Sequence, residues 1–232
     1  MAHTPIAARP LAAILDLDGT LVDTLGDFVH ALGGMLADLS LPPVGRAEVE
    51  TMVGKGSEHL IRAVLAHVLG QAPGAAAVQA LYPRARDRYQ DHYRAVNGRH
   101  ATVYPGAVLG LERLCGLGLP LACLTNKPTA FALPLLRAKG LDGFFAHVFG
   151  GDSFARKKPD PLPLLKTCAA LGTPPARTLM VGDSSNDALA ARGAGCPVVL
   201  VTYGYNHGVP VRAVDADGFV DALADLQMLP KK

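Results

Sequence analysis

Short apolar runs alternate with stretches of helical spacing along most of the chain. Five runs predict buried strands, at residues 11–15, 119–124, 146–149, 178–181 and 197–201. Helical stretches between them end at Gly140, Gly172 and Gly195, where a helix terminus favours a residue with positive φ. Strands that alternate with helices are typical of a parallel sheet. The pattern therefore predicts an α/β fold built on a parallel sheet.

The segment at residues 25–99 interrupts this alternation, because it contains helical stripes and no convincing strand. Apolar residues share one helix face at residues 25–39, and the same spacing recurs at 60–69. A third stripe at residues 75–96 includes Pro83, which must begin, kink or split that helix. The segment therefore predicts a helical insert between the first two strands.

This insert predicts a division into a helical cap, residues 25–99, and an α/β core formed by residues 1–24 and 100–232. Gly33 and Gly34 weaken the first cap helix by about 1 kcal/mol each relative to alanine. We therefore expect the cap to be less rigid than the sheet.

The charge balance argues against large charged partners. The 232 residues include 22 Lys+Arg and 20 Asp+Glu, which gives a net charge of +2. This near-balance predicts no broad affinity for nucleic acid or for membranes. The length suits one domain that carries a subsidiary insert.

The cysteines and the N-terminal region indicate a cytoplasmic protein. The four cysteines form no C-x-x-C pair, so they predict free thiols near the core rather than a zinc or redox site. The N-terminal apolar run is far shorter than the roughly 18 residues of a membrane span, and it ends at Asp16 rather than at a cleavage site. We expect neither a signal peptide nor a membrane anchor, and nothing in the sequence indicates an oligomeric state.

Polar clusters follow four of the predicted strands. They read D-L-D-G-T at residues 16–20, T-N-K-P at 125–128, K-K-P-D-P at 157–161 and G-D-S-S-N-D at 182–187. Ligands of a parallel α/β sheet bind outside the carboxyl ends of the strands, so we expect these clusters to converge on one site. Carboxylates there suit Mg²⁺, which prefers oxygen ligands. A carboxylate can also attack phosphorus and form an aspartyl phosphate.

These four clusters, in this order, resemble the motifs of the haloacid dehalogenase superfamily, whose first motif is D-x-D-G-T. The resemblance covers about residues 11–228 and implies a Rossmann-like core, an inserted helical cap and Mg²⁺-dependent phosphoryl transfer. Asp16 is the expected nucleophile, and Asp18 is the expected general acid and then general base. The metal ligands would be Asp16, the backbone carbonyl of Asp18, and Asp183, with Asp187 close by.

The pair Thr125 and Asn126 has alternative roles, and so does Thr20. Thr125 can donate its hydroxyl hydrogen to a phosphoryl oxygen, with Asn126 beside it, or both residues can cap the helix that follows. Thr20 can orient Asp18 or serve as a simple turn residue.

The lysine motif predicts a cationic clamp. Lys158 precedes a proline as in the K-P-x-P element of the superfamily, so it is the expected partner of the phosphate, whereas Lys157 is the expected solvated neighbour. Asp187 either contacts a metal-bound water or holds Lys158, and the second role is the one we favour.

Further segments resemble the bacterial phosphoglycolate phosphatase family. They are residues 104–106, 124–128, 150–153, 158–161, 181–184 and 202–206. This resemblance implies Mg²⁺-dependent hydrolysis of 2-phosphoglycolate, a small phosphorylated carboxylate, to glycolate and phosphate. The cap would then supply cationic or amide donors, and Lys55, in a glycine-flanked loop that opens a helix, is the candidate, against the alternative of a solvated loop lysine.

Several alternatives remain open. A pyrophosphatase, a sugar-phosphate phosphatase or a β-phosphoglucomutase would keep the fold and change the substrate. A dehalogenase needs no Mg²⁺ and would not be expected to keep Asp18. A receiver domain would leave the long insert unexplained, and a noncatalytic phosphate-binding protein would not need the full set of motif residues.

Overall fold

A computed structural model describes residues 9–226 of the chain. In chain order, the strands and longer helices are β1 (Ala12–Leu15), β2 (Val22–Asp23), α1 (Leu25–Asp38), α2 (Arg46–Met52), α3 (Ser57–Leu69), α4 (Ala76–Val96), β3 (Thr102–Val103), α5 (Ala107–Gly116), β4 (Leu121–Leu124), α6 (Thr129–Ala138), β5 (His147–Phe149), α7 (Leu162–Leu171), β6 (Thr178–Gly182), α8 (Ser185–Ala194), β7 (Val198–Val201) and β8 (Gly218–Val220). Within this part of the chain, no helix is long and apolar enough to cross a membrane.

Six strands form one parallel sheet in the order β5-β4-β1-β6-β7-β8. Alternate residues of β1 pack into different hydrophobic clusters, with Ala13 and Leu15 in one and Ile14 in the other. The sheet is therefore covered on both faces, as expected for parallel strands. This confirms the predicted α/β fold, and each of the five predicted strands is present.

Three short strands are absent from the sequence prediction. β8 is a partly exposed edge strand of the main sheet, and β2 pairs with β3 as a two-residue antiparallel ribbon where the chain enters and leaves the insert. Strands this short have too few residues to show a period. The predicted helix ends are confirmed, since Gly140, Gly172 and Gly195 have φ values of 67°, 67° and 76°.

Four helices, α1 to α4, make up the insert. Pro83 neither begins nor splits α4, which continues through it, and α2 adds a short helix that the apolar stripes do not predict. The helices bury a hydrophobic cluster distinct from those of the sheet, whose members include Leu32, Met35, Val64 and Tyr89 and which Phe131 and Tyr205 of the core also join. This separate cluster supports our proposed division into cap and core.

Buried polar contacts fix the two junctions between the insert and the core. The Asp27 carboxylate is fully buried and accepts hydrogen bonds from the backbone N–H groups of Gly98 and His100, at 2.6 and 2.8 Å. The hydroxyl of Tyr205 contacts the start of α1, where it accepts from the N–H groups of Thr24 and Leu25. The chain segments that enter and leave the cap are therefore held to each other and to the core.

The glycines of α1 differ in their surroundings. A Cβ on Gly26 would overlap the backbone oxygen of His100, and one on Gly34 would overlap the His92 ring. A Cβ on Gly33, by contrast, would have no atom within 4 Å. Two of these glycines therefore permit close packing, and Gly33 only weakens the helix.

We predict opposite effects of alanine at two positions of this one helix. Gly26→Ala should lower the free energy of unfolding by about 1–3 kcal/mol, because the methyl group meets rigid backbone. Gly33→Ala should raise it by about 0.4–1 kcal/mol, because it limits the unfolded chain without a clash. Urea unfolding of both variants measures these changes, and a Gly26→Ala protein as stable as the wild type would contradict the packing argument.

Candidate active site

Carboxylates gather at the carboxyl edge of the sheet. Asp16 follows β1 and Asp183 follows β6, the neighbouring strand, while Asp187 lies in the first turn of α8. One oxygen from each of the three carboxylates lies within 4.8 Å of the other two. The fold therefore brings the carboxylates of two predicted strand-end motifs together at one edge of the sheet.

Asp16 lies between a backbone donor and a lysine. Its Oδ1 accepts the N–H of Leu17 at 2.7 Å, and its Oδ2 lies 3.1 Å from Nζ of Lys158. Burial raises the pKa of Asp16 to about 7, although Lys158 opposes the rise, and the nearby Asp187 and Asp18 add to it. The carboxylate is thus held in place but its negative charge is only partly compensated.

Lys158 is a buried cation with fixed partners. Its side chain is 1% exposed, and its Nζ donates to Asp187 Oδ1 at 2.7 Å and to the carbonyl oxygen of Leu124 at 2.8 Å. Burial alone would lower the pKa of Lys158, but the carboxylates of Asp16 and Asp187 outweigh it and the pKa is raised. Lys158 therefore stays protonated, while Lys157 is exposed as predicted.

Asp187 is fully occupied by structural contacts. Besides Lys158, it accepts the N–H groups of Asp183 and Ser184 at 3.2 Å each and the Ser184 hydroxyl at 3.0 Å. These contacts complete the N-terminal cap of α8. They favour the role of holding Lys158 over direct metal contact.

Asp183 is a buried carboxyl that accepts two hydrogen bonds. It accepts the Thr20 hydroxyl at 2.9 Å and the N–H of Tyr205 at 2.6 Å. Burial, followed by the charges of Asp187 and Asp16, raises the pKa of Asp183 well above its ordinary value. Thr20 therefore orients Asp183, and the alternative in which its hydroxyl orients Asp18 is wrong. Gly19, at φ 84°, leaves room for the Asp183 carboxyl, which a Cβ at this position would overlap.

The side chain of Asp18 lies apart from the three clustered carboxylates. Its Oδ1 is 2.9 Å from Nζ of Lys127, a side chain that is only 3% exposed. The same Nζ donates to the Tyr93 hydroxyl of the cap at 2.6 Å. Asp18 therefore pairs with a different lysine from Asp16, and both its role in proton transfer and a contribution to a metal through its backbone carbonyl stay predictions.

Thr125 and Asn126 line the same site. The Thr125 hydroxyl accepts the N–H of Lys127 at 3.2 Å, which leaves its own hydrogen available as a donor. The Asn126 amide donates to the carbonyl oxygens of Gly54 and Lys158, at 3.1 and 2.9 Å. Asn126 therefore ties a cap loop to the lysine motif, and its hydrogens are already in use in this arrangement.

A cavity lies between the carboxyl edge of the sheet and the cap. Its core lining comprises Asp16, Asp18, Thr125, Asn126, Lys127, Pro128 and Phe131, and its cap lining comprises Phe28, Val53, Gly54, Gly56, Ser57, Leu60, Tyr89 and Tyr93. Lys55 is exposed and is absent from this lining, although its neighbours Gly54 and Gly56 belong to it. The structure therefore brings together the motif residues but does not bring Lys55 to them.

Lys127 is the residue that sequence reasoning missed. Lys127 is the charged residue of the T-N-K-P motif, which follows a predicted strand. Its position in this motif is the sequence signal that could have identified it as a site residue. Its burial depends on the cap, where the rings of Phe28 and Tyr93 lie 4.7 and 4.8 Å from its Nζ. The sequence around residue 127 does not predict these contacts, because Phe28 and Tyr93 are far from it in the chain.

The donor set fits a divalent cation. Asp16 and Asp183 supply carboxylate oxygens, and one oxygen of Asp187 lies within 4.8 Å of both. Burial is the main cause of the raised pKa values of Asp16 and Asp183. Hard cations such as Mg²⁺ prefer oxygen ligands of this kind. Asp16 and Asp183 are the residues that would hold it, with Asp187 in support.

The fold and this site define a hydrolase of the haloacid dehalogenase-like class. The family model described as haloacid dehalogenase-like hydrolase matches residues 11–195, and the chain belongs to this family. It is therefore an enzyme. Among its curated relatives, the phosphoglycolate phosphatase of Thiobacillus denitrificans is 41% identical over 221 residues, covering 95% of this chain and 96% of that protein. A plasmid-borne phosphoglycolate phosphatase of Cupriavidus necator is 43% identical over 218 residues, covering 94% and 92%.

A solved structure supports the same relationship. A protein described as a predicted phosphoglycolate phosphatase from Haemophilus somnus 129PT superposes with a TM-score of 0.87 at 32% identity. The match covers 94% of this chain and 97% of that one. The likeness thus includes the cap as well as the sheet.

We predict that the protein without metal becomes less stable as pH rises. Because the pKa values of Asp16 and Asp183 are raised in the folded state, the folded protein binds more protons than the unfolded chain above about pH 4. Its free energy of unfolding should therefore fall by about 1–3 kcal/mol between about pH 5 and about pH 8 in EDTA. Thermal unfolding measured with EDTA and with Mg²⁺ checks this, and Mg²⁺ should restore the loss.

Asp183→Asn is the matched control, because it removes one buried charge and keeps the size of the side chain. Its stability in EDTA should depend less on pH than that of the wild type. The raised pKa of Asp183 would be contradicted if the wild type became more stable over the same pH range and the variant showed the same dependence of stability on pH.

Proposed function

We propose that the chain is a Mg²⁺-dependent phosphatase that hydrolyses 2-phosphoglycolate to glycolate and phosphate through an aspartyl phosphate on Asp16. The observation that carries the proposal is the position of Asp16, 3.1 Å from the buried ammonium of Lys158 and close to Asp183 at the carboxyl edge of the sheet. A nucleophile, a fixed cation and carboxylate ligands for a metal are the parts that phosphoryl transfer requires.

In the first step, an Asp16 oxygen attacks phosphorus and the bond to the glycolate oxygen breaks. Asp18 gives its proton to that leaving oxygen. Lys158 and the Thr125 hydroxyl offset the charge on the phosphoryl oxygens. In the second step, Asp18 takes a proton from water, which attacks the phosphorus, releases phosphate and regenerates Asp16. A bound Mg²⁺ would reduce the repulsion between the Asp16 carboxylate and the anionic ester.

The substrate is proposed from the curated relatives and from the cavity. The two relatives that are 41% and 43% identical over almost the whole chain are both named phosphoglycolate phosphatase. The walls that the cap contributes are mostly aromatic or aliphatic, at Phe28, Leu60, Tyr89 and Tyr93. Such walls suit a small ester better than a sugar phosphate, whose hydroxyl groups would lose hydrogen bonds to water.

We predict that the purified protein prefers 2-phosphoglycolate. In a panel that also contains pyrophosphate and hexose phosphates, kcat/KM should be highest for 2-phosphoglycolate with Mg²⁺ present, and EDTA should abolish turnover of every ester. Release of inorganic phosphate measures the rates. Equal or faster turnover of a hexose phosphate or pyrophosphate would overturn the substrate assignment.

We further predict a sharp contrast between adjacent lysines. Lys158→Met should lower kcat/KM by at least about 100- to 1000-fold, because it removes the cation beside the phosphoryl group. Lys157→Met, at the exposed neighbour, should stay within about threefold of the wild type. Asp16→Asn, which keeps the shape of the side chain, should be inactive. An active Asp16→Asn protein would exclude the aspartyl phosphate.

A further inference from the structure

The cavity has a cation that the proposed hydrolysis of the phosphate ester does not use. Lys127 belongs to the loop between β4 and α6, and the charged residues that line the cavity are Lys127, Asp16 and Asp18. Two of these three are acidic. A substrate that carries a carboxylate besides its phosphoryl group would meet repulsion there unless a cation received the carboxylate.

The surroundings of Lys127 leave it able to bind an anion. Its Nζ donates to Asp18 Oδ1 at 2.9 Å and to the Tyr93 hydroxyl at 2.6 Å. An ammonium has three donors, so one remains without a hydrogen-bond acceptor among residues 9–226. The rings of Phe28 and Tyr93 pack against this side of the ammonium, and an ion pair formed in such a buried place is screened little by solvent.

Tyr93 adds a second donor. Because its oxygen accepts a hydrogen bond from Lys127, its own hydroxyl hydrogen is free to donate to an anion. Burial raises the pKa of Tyr93 well above its ordinary value, so the hydroxyl keeps that hydrogen at neutral pH. Lys127 and Tyr93 therefore place two donors side by side, one from the core and one from the cap.

The cap supplies no competing cation to this cavity. The cap residues that line it are all neutral, and Lys55 is exposed. Among the described residues, the cap therefore does not place a cation in this cavity, although the sequence led us to expect one there for the carboxylate. The ammonium that can meet the substrate's carboxylate comes from the core instead.

We propose that Lys127, assisted by the Tyr93 hydroxyl, binds the carboxylate of the substrate and thereby sets specificity for small phosphorylated carboxylates. This inference rests on the proposed function, since it assigns the carboxylate subsite of the same cavity. The competing role for Lys127 is to position Asp18 alone. The two roles differ in what they predict for an ester that lacks the carboxylate.

The test compares two esters that differ at one group, 2-phosphoglycolate and 2-hydroxyethyl phosphate. The wild type should prefer 2-phosphoglycolate by at least about 100-fold in kcat/KM. Lys127→Met should lose about 100- to 1000-fold on 2-phosphoglycolate and less than about tenfold on 2-hydroxyethyl phosphate. Tyr93→Phe, which removes only the hydroxyl, should lose about five- to twentyfold on 2-phosphoglycolate alone. Lys166→Met, at an exposed lysine of α7, is the control that should change neither rate.

The outcomes distinguish a failure of the proposed carboxylate subsite from a failure of the proposed phosphatase function. Equal losses on both esters in Lys127→Met would show that Lys127 only positions Asp18, and would overturn the subsite while leaving the phosphatase proposal intact. An unchanged preference in that variant would also overturn the subsite. A wild type with no preference for 2-phosphoglycolate would overturn the proposed substrate and the subsite with it. If Lys127→Met does not fold, as judged by circular dichroism, Tyr93→Phe gives the same comparison.

Discussion

The contacts of one buried ammonium determine the arrangement of the site. Nζ of Lys158 joins the Leu124 carbonyl at the end of β4, Asp16 after β1 and Asp187 in the first turn of α8. These segments are far apart in sequence and are held at one point by a single charge. Loss of one partner from a buried ion pair costs about 3–5 kcal/mol, because the remaining charge stays buried and unpaired. The edge of the sheet thus requires Lys158 for its geometry as well as for charge.

The same constraint explains why a cation site accompanies the lysine. Asp187 accepts hydrogen bonds from Lys158 and from the start of α8, whereas Asp183 has hydrogen-bond donors but, among residues 9–226, no lysine partner. Burial raises the pKa values of both Asp183 and Asp16, and Lys158 opposes the rise at Asp16. One ammonium beside three carboxylates leaves excess negative charge, which a divalent cation bound there would offset.

The sequence predicts the parts of this arrangement that are local. Strand ends, motif residues such as Asp16 and Lys158, and the helical nature of the insert follow from apolar runs and spacing, because each depends on neighbours in the chain. Lys127 and Lys55 show what the sequence does not predict. The burial of Lys127 depends on Tyr93 and Phe28, and the exposure of Lys55 depends on how its loop lies on the core. Periodicity contains no information on how two segments dock.

The core and the cap line the cavity with side chains of different polarity. The core contributes the charged groups of the cavity, and the cap contributes rings, aliphatic side chains and the hydroxyls of Tyr93, Tyr89 and Ser57. The largely apolar lining on the cap side lowers the dielectric constant around these charges, which strengthens their interaction with an anionic ester. The hydrogen bond between Tyr93 of the cap and Lys127 of the core joins these two parts of the cavity beside Asp18.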